Sequence, residues 1–513
     1  MKEVSVMKKT LSCLLAALLL ISALSVFASA EEPCGCGHAP IVFIEGMNAR
    51  DLILEQGTDR AKVAYPFSGD AVADLVKNNA GAIWDMLDAR FGADTERKVA
   101  DAVKSLFADA AMNDDGTSLY DIAVDWTPPE DPAHSEGQFF KYCFDWRLDP
   151  FTNAAGLKDF ITYVKELTGH DTVHLIGFSQ GATVLNTYLH EYGCGGLETV
   201  IWYCGAHNGT ALVGSLFSGR LRMDAASATG FVNNATDNNF LFNTLSAVLQ
   251  GLTDIGITGG VLDLVNVGLK QLMEDGVMRE IFLDTFGKMP GMWSLVPPED
   301  YEAAKRFLFG EGEQAAPYAA LIETIDRYHD EVQVNSAAIM EEARQQVGKI
   351  GVIAKYNVRM APFMEADNRQ ADMLIDTEHA SCGATVADFG QTLGDGYVQQ
   401  NDDGHDHLSA DGIIDASTAL YPDYTWFIKN AQHSQGIAYN DALLRHICES
   451  DRQPDVFEDE AYPQFTYYSP ATGQTSPLTE DTDERPDLKP VERIKAFFQR
   501  ILTFWRELFE KVC

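Results

Sequence analysis

Chemistry in this chain starts from one serine. Ser179 sits in Gly177-Phe178-Ser179-Gln180-Gly181, a G-x-S-x-G pentapeptide between an apolar run containing Val173, Leu175 and Ile176 and a stretch of helical character from Ala182 to Tyr192. Strand, sharp turn and helix form the setting in which such a serine is held with its Oγ exposed above a sheet edge. The glycines remove side chains that would collide as the chain reverses. The next backbone N–H, that of Gln180, stands at a helix N-terminus and can point at a developing oxyanion. A hydroxyl is a poor nucleophile at neutral pH, so it needs a base within hydrogen-bond reach, and the base needs an orienting carboxylate.

Around a strand–serine–helix turn of this kind, the acid and then the histidine follow the serine along the chain. Beyond the strand-like run Lys349 to Tyr356 lie His379, His405, His407, His433 and His446. His433 is the expected base, because it follows the short apolar run Thr425 to Lys429 by four residues, at a sheet edge where loops carry reactive groups. His446 falls inside a helical pattern, and His379 precedes the expected acid. That acid is Asp411, which stands before Gly412 and the pair Ile413-Ile414 and so can sit on a turn with its carboxylate free; Asp415 is held in reserve. The second oxyanion N–H is expected from Met47, just after Gly46, where the buried run Pro40 to Ile44 ends in a tight turn.

These groups need a sheet to stand on. Phe139 to Phe144, Val173 to Ile176 and Thr199 to Cys204 read as strands, separated by helical stretches at Ala154 to Leu167 and Ala182 to Tyr192. That alternation predicts an α/β fold with a mainly parallel central sheet. From His207 to residue 346 the alternation stops for about 140 residues, far beyond ordinary loop length, so an insertion with its own structure is expected there. Within it, Phe240 to Leu252, Val261 to Met273 and Ala319 to Tyr328 read as helices, and Met289 to Pro298 as an apolar loop; such a cap can cover the serine and supply an apolar pocket. Ala71 to Phe91 and Glu96 to Ala111 also look helical. The expected divisions are a core in two parts, 31–206 and 347–450, around the 207–346 insertion, then an acidic linker, 451–489, and a terminal helix, 490–513.

With Phe144-Asp145-Trp146-Arg147-Leu148-Asp149-Pro150 ahead of a helix, then Gly177 to Gly181, Asp411-Gly412-Ile413-Ile414 and Gln432-His433, the chain resembles the lecithin:cholesterol acyltransferase-like group of α/β-hydrolase lipases and acyltransferases. The resemblance covers most of residues 40 to 447 in motif order. It implies Ser179 as nucleophile, Asp411 and His433 as its relay, and the N–H groups of Met47 and Gln180 as oxyanion hole. Trp146 is implied near the acyl chain, and the loop carrying Met292 and Trp293 is similar to an apolar lid segment. The implied activity is cleavage of lipid-type carboxylic esters through an acyl-enzyme, or transfer of the acyl group to an alcohol, with no cofactor. A peptidase or amidase on the same framework, and a surface-binding protein with a relic core, stay open as alternatives.

Composition and the two ends complete the reading. Lys8 and Lys9 precede an apolar run from Leu11 to Phe27, and Ala28-Ser29-Ala30 is a small-x-small cleavage site, so residues 1–30 are expected to be a secretory signal. Its three lysines and one glutamate leave with it, taking the formal charge from −38 to −40. Such a balance argues against nucleic acid as a partner, which requires Lys and Arg gathered on one surface. Cys34-Gly35-Cys36-Gly37-His38 has no second pair at zinc-site spacing. Asp402-Asp403-Gly404-His405-Asp406-His407 is rich in ligand atoms but fails the calcium-loop register, so a solvated acidic loop is expected and no metal site is predicted. After Pro490, apolar residues recur at helical spacing with basic residues between them. This tail can lie at a membrane surface or dock on its own domain.

Overall fold

The computed structural model describes residues 38–68, 92–130, 139–222, 258–360, 368–470 and 472–479, with a few residues between 71 and 79. The signal segment, Cys34 and Cys36, the helices expected at Ala71 to Phe91 and Phe240 to Leu252, and the tail from 490 lie outside or largely outside the described residues.

The protein is α/β, built on one eight-stranded sheet. Its strands, numbered along the chain, are β1 (Ile41–Ile44), β2 (Phe139–Tyr142), β3 (Val173–Phe178), β4 (Leu197–Tyr203), β5 (Lys349–Tyr356), β6 (Thr425–Lys429), β7 (Phe465–Ser469) and β8 (Gln474–Pro477). They lie in the order β8-β7-β6-β5-β4-β3-β1-β2. Every neighbouring pair is parallel except β7 with β8. Alternation along each strand feeds two faces: Leu175, Val200, Trp202 and Val352 join one core, while Ile176, Ile201, Ile353 and Trp426 join another with Leu443, Leu444 and Ile447 of the helix Ile437–Glu449. With both faces covered, the strands read as unbroken apolar runs, which is why they were legible.

Helices α1 (Pro150–Thr168) and α2 (Gly181–Tyr192) flank the serine strand. α1 is begun by Asp149, whose carboxylate accepts from the N–H groups of Phe151 and Thr152 with Pro150 at the first turn, and is ended by Gly169 at φ 68°. One expectation fails elsewhere, and one sheet had no sequence counterpart. Residues 451–489 are not simply a linker, because β7 and β8 extend the sheet from within them. In Phe465-Thr466-Tyr467-Tyr468-Ser469, Thr466 and Tyr468 point inward with a period of two, a pattern hidden by the acidic and proline-rich surroundings. Between 51 and 130, Leu52–Leu54, Lys62–Tyr65 and Ile122–Val124 make a small antiparallel sheet that has too few residues per strand to show a period.

The described part of the insertion carries the expected helices, at Thr258–Glu274 and Ala319–Tyr328. Many of its buried apolar residues, Met289, Trp293, Leu308 and Leu321 among them, belong to the same core as Leu175, Val200 and Trp202 of the sheet. Met289 to Pro298 is not an open loop: Pro290–Trp293 forms a helical turn, and Met289, Met292, Trp293 and Val296 are buried. Among the described residues no helix is long and apolar enough to cross a membrane, and none of the cysteines Cys143, Cys194, Cys204, Cys382 and Cys448 is in a disulfide.

Candidate active site

Ser179 occupies the turn between β3 and α2 with φ 56°, a left-handed conformation that costs a β-carbon residue about 1 kcal/mol or more. The surroundings hold it there. Its N–H donates to the carbonyl of Tyr203 at 3.2 Å, and its carbonyl accepts from Ala182 at 3.1 Å and Ala206 at 3.0 Å. Gly181 is required by packing, since a Cβ at that position would stand 2.5 Å from the carbonyl oxygen of Ile44 and 2.6 Å from that of Glu45. Thus the turn is clamped between the ends of β1 and β4.

The strand-end turn after β1 runs directly beside the serine. A Cβ on Gly46 would meet Ser179 Cβ at 2.7 Å and its Oγ at 3.1 Å, so only glycine lets the chain pass there. Met47 follows it. On the other side Gln180, buried at the start of α2, donates from Nε2 to the carbonyls of Trp146 at 3.0 Å and Gly291 at 2.9 Å. The turn is thereby tied to the Phe144–Pro150 motif and to the insertion.

That motif has a structural logic. Asp145 grips Arg147 through two contacts, Oδ2 from Nη2 at 2.6 Å and Oδ1 from Nε at 3.0 Å, while Nη1 donates to the carbonyl of Ala110. Between them Trp146 is turned inward, 1 % exposed, its ring 5.1 Å from that of Tyr65 and its Nε1 without a hydrogen-bond partner. A cavity of about 650 Å³ lies next to Tyr65 along the chain, lined by Val63, Ala64, Pro66, Phe67 and Leu106, but Ser179, Asp372 and His433 do not line it. Trp293 is a core residue of the insertion and not a pocket wall: its ring packs on Phe217, Tyr301 and Phe309, and its Nε1 donates to the carbonyl of Gly287 at 2.8 Å. Met292 is buried beside it.

His433 stands in the loop after β6 with its ring stacked on Phe178, the residue before the serine, at a centroid distance of 4.8 Å. Its Nδ1–H donates to a carboxylate at 2.6 Å, and its Nε2 is buried without a partner. The carboxylate is that of Asp372, not Asp411 or Asp415. Asp411 is turned away from the histidine, with Oδ2 taken by Lys429 and the Tyr356 hydroxyl, each at 3.0 Å, and Oδ1 by Ser409. Asp415 accepts from Tyr397, from the N–H of Gln400 and from that of Ser417.

Asp372 lies beyond the end of β5, after the bridge-forming pair Gln370–Ala371. Its Oδ1 accepts from the N–H groups of Leu374 at 3.0 Å and Ile375 at 2.8 Å, which fixes the carboxylate and leaves Oδ2 for the histidine. The backbone joins in, since the N–H of His433 donates to the Asp372 carbonyl at 2.9 Å. Burial pushes the Asp372 carboxyl up, but His433, the Ile375 N–H and the Lys355 ammonium outweigh it and hold the group below the usual carboxylate value. Lys355, 1 % exposed on β5, donates to the carbonyls of His433 at 2.6 Å, Gln435 at 2.9 Å and Gln432 at 3.1 Å, pinning the histidine loop. Neither Asp372 nor Lys355 has a recognisable signal in a chain with 76 acidic residues, although Asp372 obeys the serine–acid–histidine order.

A second buried histidine–carboxylate pair, His379 with Asp376, faces Glu299 of the insertion and not the serine. The chain matches no protein-family model, no curated protein and no solved structure.

Proposed function

We propose that the chain is an exported serine hydrolase of the α/β-hydrolase fold that cleaves carboxylic esters of lipid type, with Ser179 as nucleophile, His433 as general base and Asp372 as its orienting acid. The observation that carries the reading is His433: it is held by Asp372 at Nδ1, stacked on Phe178, the residue before the serine, and left with an unpartnered Nε2, while Ser179 is in left-handed conformation. A ring protonated on Nδ1 has its lone pair on Nε2, which is the arrangement a base needs to take the serine proton.

In the proposed sequence, Ser179 Oγ attacks the ester carbonyl as its proton moves to His433 Nε2, and Asp372 stabilises the imidazolium. The N–H groups of Gln180, at the start of α2, and of Met47, beyond Gly46, receive the oxyanion. The imidazolium then protonates the departing alkoxide, and water, deprotonated by the same nitrogen, releases the acid. Transfer to an alcohol in place of water is the variant. The preference for a lipid-type acyl group over a peptide rests on the resemblance of the Phe144 to Pro150 motif and of the Ser179, acid and histidine order to lipid-active enzymes.

The test is hydrolysis of nitrophenyl esters of increasing chain length by wild type and Ser179→Ala, with covalent fluorophosphonate labelling mapped to a residue. Wild type is expected to react and to carry the label on Ser179. Activity that survives the substitution, or a label elsewhere, overturns the assignment.

A further inference from the structure

The 402–407 loop was expected to be a solvated acidic segment, and residues 402–406 are indeed exposed; it also turns three of its side chains toward a fourth from another segment. Asp403, His405 and His407 meet Asp423, which lies in the turn Pro422–Tyr424 leading into β6, and the four donor atoms all lie within 4.8 Å of one another. His407 Nε2 is 3.0 Å from Asp403 Oδ2 and 3.6 Å from Asp423 Oδ1, and His405 Nδ1 is 3.4 Å from Asp423 Oδ1. A tetrahedral ion with bonds of about 2.0–2.1 Å sets its ligand atoms about 3.3–3.4 Å apart, in the middle of these separations.

Two further features point to a cation. First, the tautomer of His407 is decided from outside the cluster. Gln464 Nε2 donates to the carbonyls of Pro422 at 2.8 Å and Thr425 at 3.3 Å, so the atom it turns toward His407 Nδ1, at 3.0 Å, is its carbonyl oxygen. His407 Nδ1 is therefore the donor to that oxygen, and Nε2 faces the two carboxylates, so the space between them calls for positive charge, supplied by a proton on Nε2 or by a bound cation. His407 is fully buried, while both carboxylates keep more than a third of their surface in solvent, open to an arriving ion. A metal-bound histidine held by a hydrogen bond at its other nitrogen is the usual outer-shell arrangement. Second, among the described residues no lysine or arginine pairs with Asp403 or Asp423, whose basic partners are the cluster's own two histidines. Phe457 covers both imidazoles, at 4.6 Å from His405 and 5.2 Å from His407.

We propose that Asp403, His405, His407 and Asp423 bind one divalent transition-metal ion of zinc type. Two imidazoles with two carboxylates suit zinc and not calcium, which takes six to eight oxygens. With four protein ligands the site is closed, so its role is structural: it staples the 403–407 loop to the start of β6, the strand whose far end leads to His433.

The test uses the whole chain, stripped with chelator, re-equilibrated with zinc sulfate and passed through gel filtration before metal analysis. Cobalt(II) replaces zinc in a parallel sample read by its tetrahedral d–d absorption. Wild type is expected to retain one zinc per chain and to show the cobalt bands. His405→Ala, at a half-exposed side chain, and Asp423→Asn are each expected to weaken zinc binding at least about tenfold. Both variants should melt in chelator at the wild-type temperature, which separates metal loss from misfolding. Wild type free of zinc after this treatment, octahedral cobalt spectra, or zinc retention unchanged in both variants each overturns the proposal.

Discussion

Replacing Asp372 with asparagine separates the two acids that the chain offers. The carboxylate is fixed by two N–H groups at Oδ1 and gives Oδ2 to His433 Nδ1–H at 2.6 Å. Asparagine keeps the same shape and, with its carbonyl oxygen still facing Leu374 and Ile375, turns its NH₂ toward the ring. Two donors cannot face each other, so the ring proton moves to Nε2 and blocks the lone pair that must accept the serine proton. For a wrong-tautomer histidine kcat falls by about 10⁴, which at 1.36 kcal/mol per tenfold is about 5.5 kcal/mol of barrier. Asp411→Asn acts elsewhere: it removes a carboxylate partner of Lys429, which is 1 % exposed, and is expected to cost about 1–3 kcal/mol of stability. Its effect on kcat of the folded fraction should stay within about threefold. The assay is saturating nitrophenyl-ester turnover per folded molecule, with folding followed by circular dichroism and urea titration. A folded Asp372→Asn enzyme keeping more than about a tenth of kcat, or Asp411→Asn losing about 10⁴ while folded, refutes the assignment of the acid.

Three further outcomes follow from the same geometry. Gly46→Ala drives a methyl into Ser179 and is expected to lower kcat/KM at least about 100-fold with the fold kept, measured by ester hydrolysis and thermal melting; near-wild-type activity would mean the two segments are not so close. Lys355→Met leaves three carbonyls of the histidine loop without their donor, expected to cost about 3 kcal/mol or more in urea unfolding and to lower kcat more than it changes KM. The buried pair His379–Asp376 sets a pH window. Burial pulls the imidazole down, but Asp376 and Glu299 outweigh it and raise its value above 6.5; burial pushes the Asp376 carboxyl up, but His379 outweighs it and lowers the value below 3.8. The pair's stabilisation is therefore whole between pH 3.8 and 6.5. It is lost as pH rises through the raised histidine value, and as pH falls through the depressed aspartate value. His379→Gln should flatten the urea midpoint across the alkaline arm, and an unchanged profile would remove the pair from the account.

What was legible from the chain was local. β3, the turn at Ser179 and α2 are consecutive, so periodicity and two glycines suffice to mark them, and β5 and β6 declare themselves as apolar runs because both sheet faces are buried. His433 was found by its distance from the end of β6. The aspartates were another matter. Asp372, Asp411 and Asp415 all lie between serine and histidine in the chain, and each sits near a turn. Which one meets the ring depends on where Lys429, Tyr356 and the N–H groups of Leu374 and Ile375 come to lie. Those partners are up to tens of residues apart, and no period or spacing encodes such a choice. The same holds for the placement of β1 between β2 and β3, for Lys355 beneath the histidine loop, and for Asp423 closing on Asp403, His405 and His407. A sequence by itself determines residue types and the order of elements. Contacts between segments far apart in the chain are decided only when the sheet is assembled, because the burial and pairing that select among like residues exist only then.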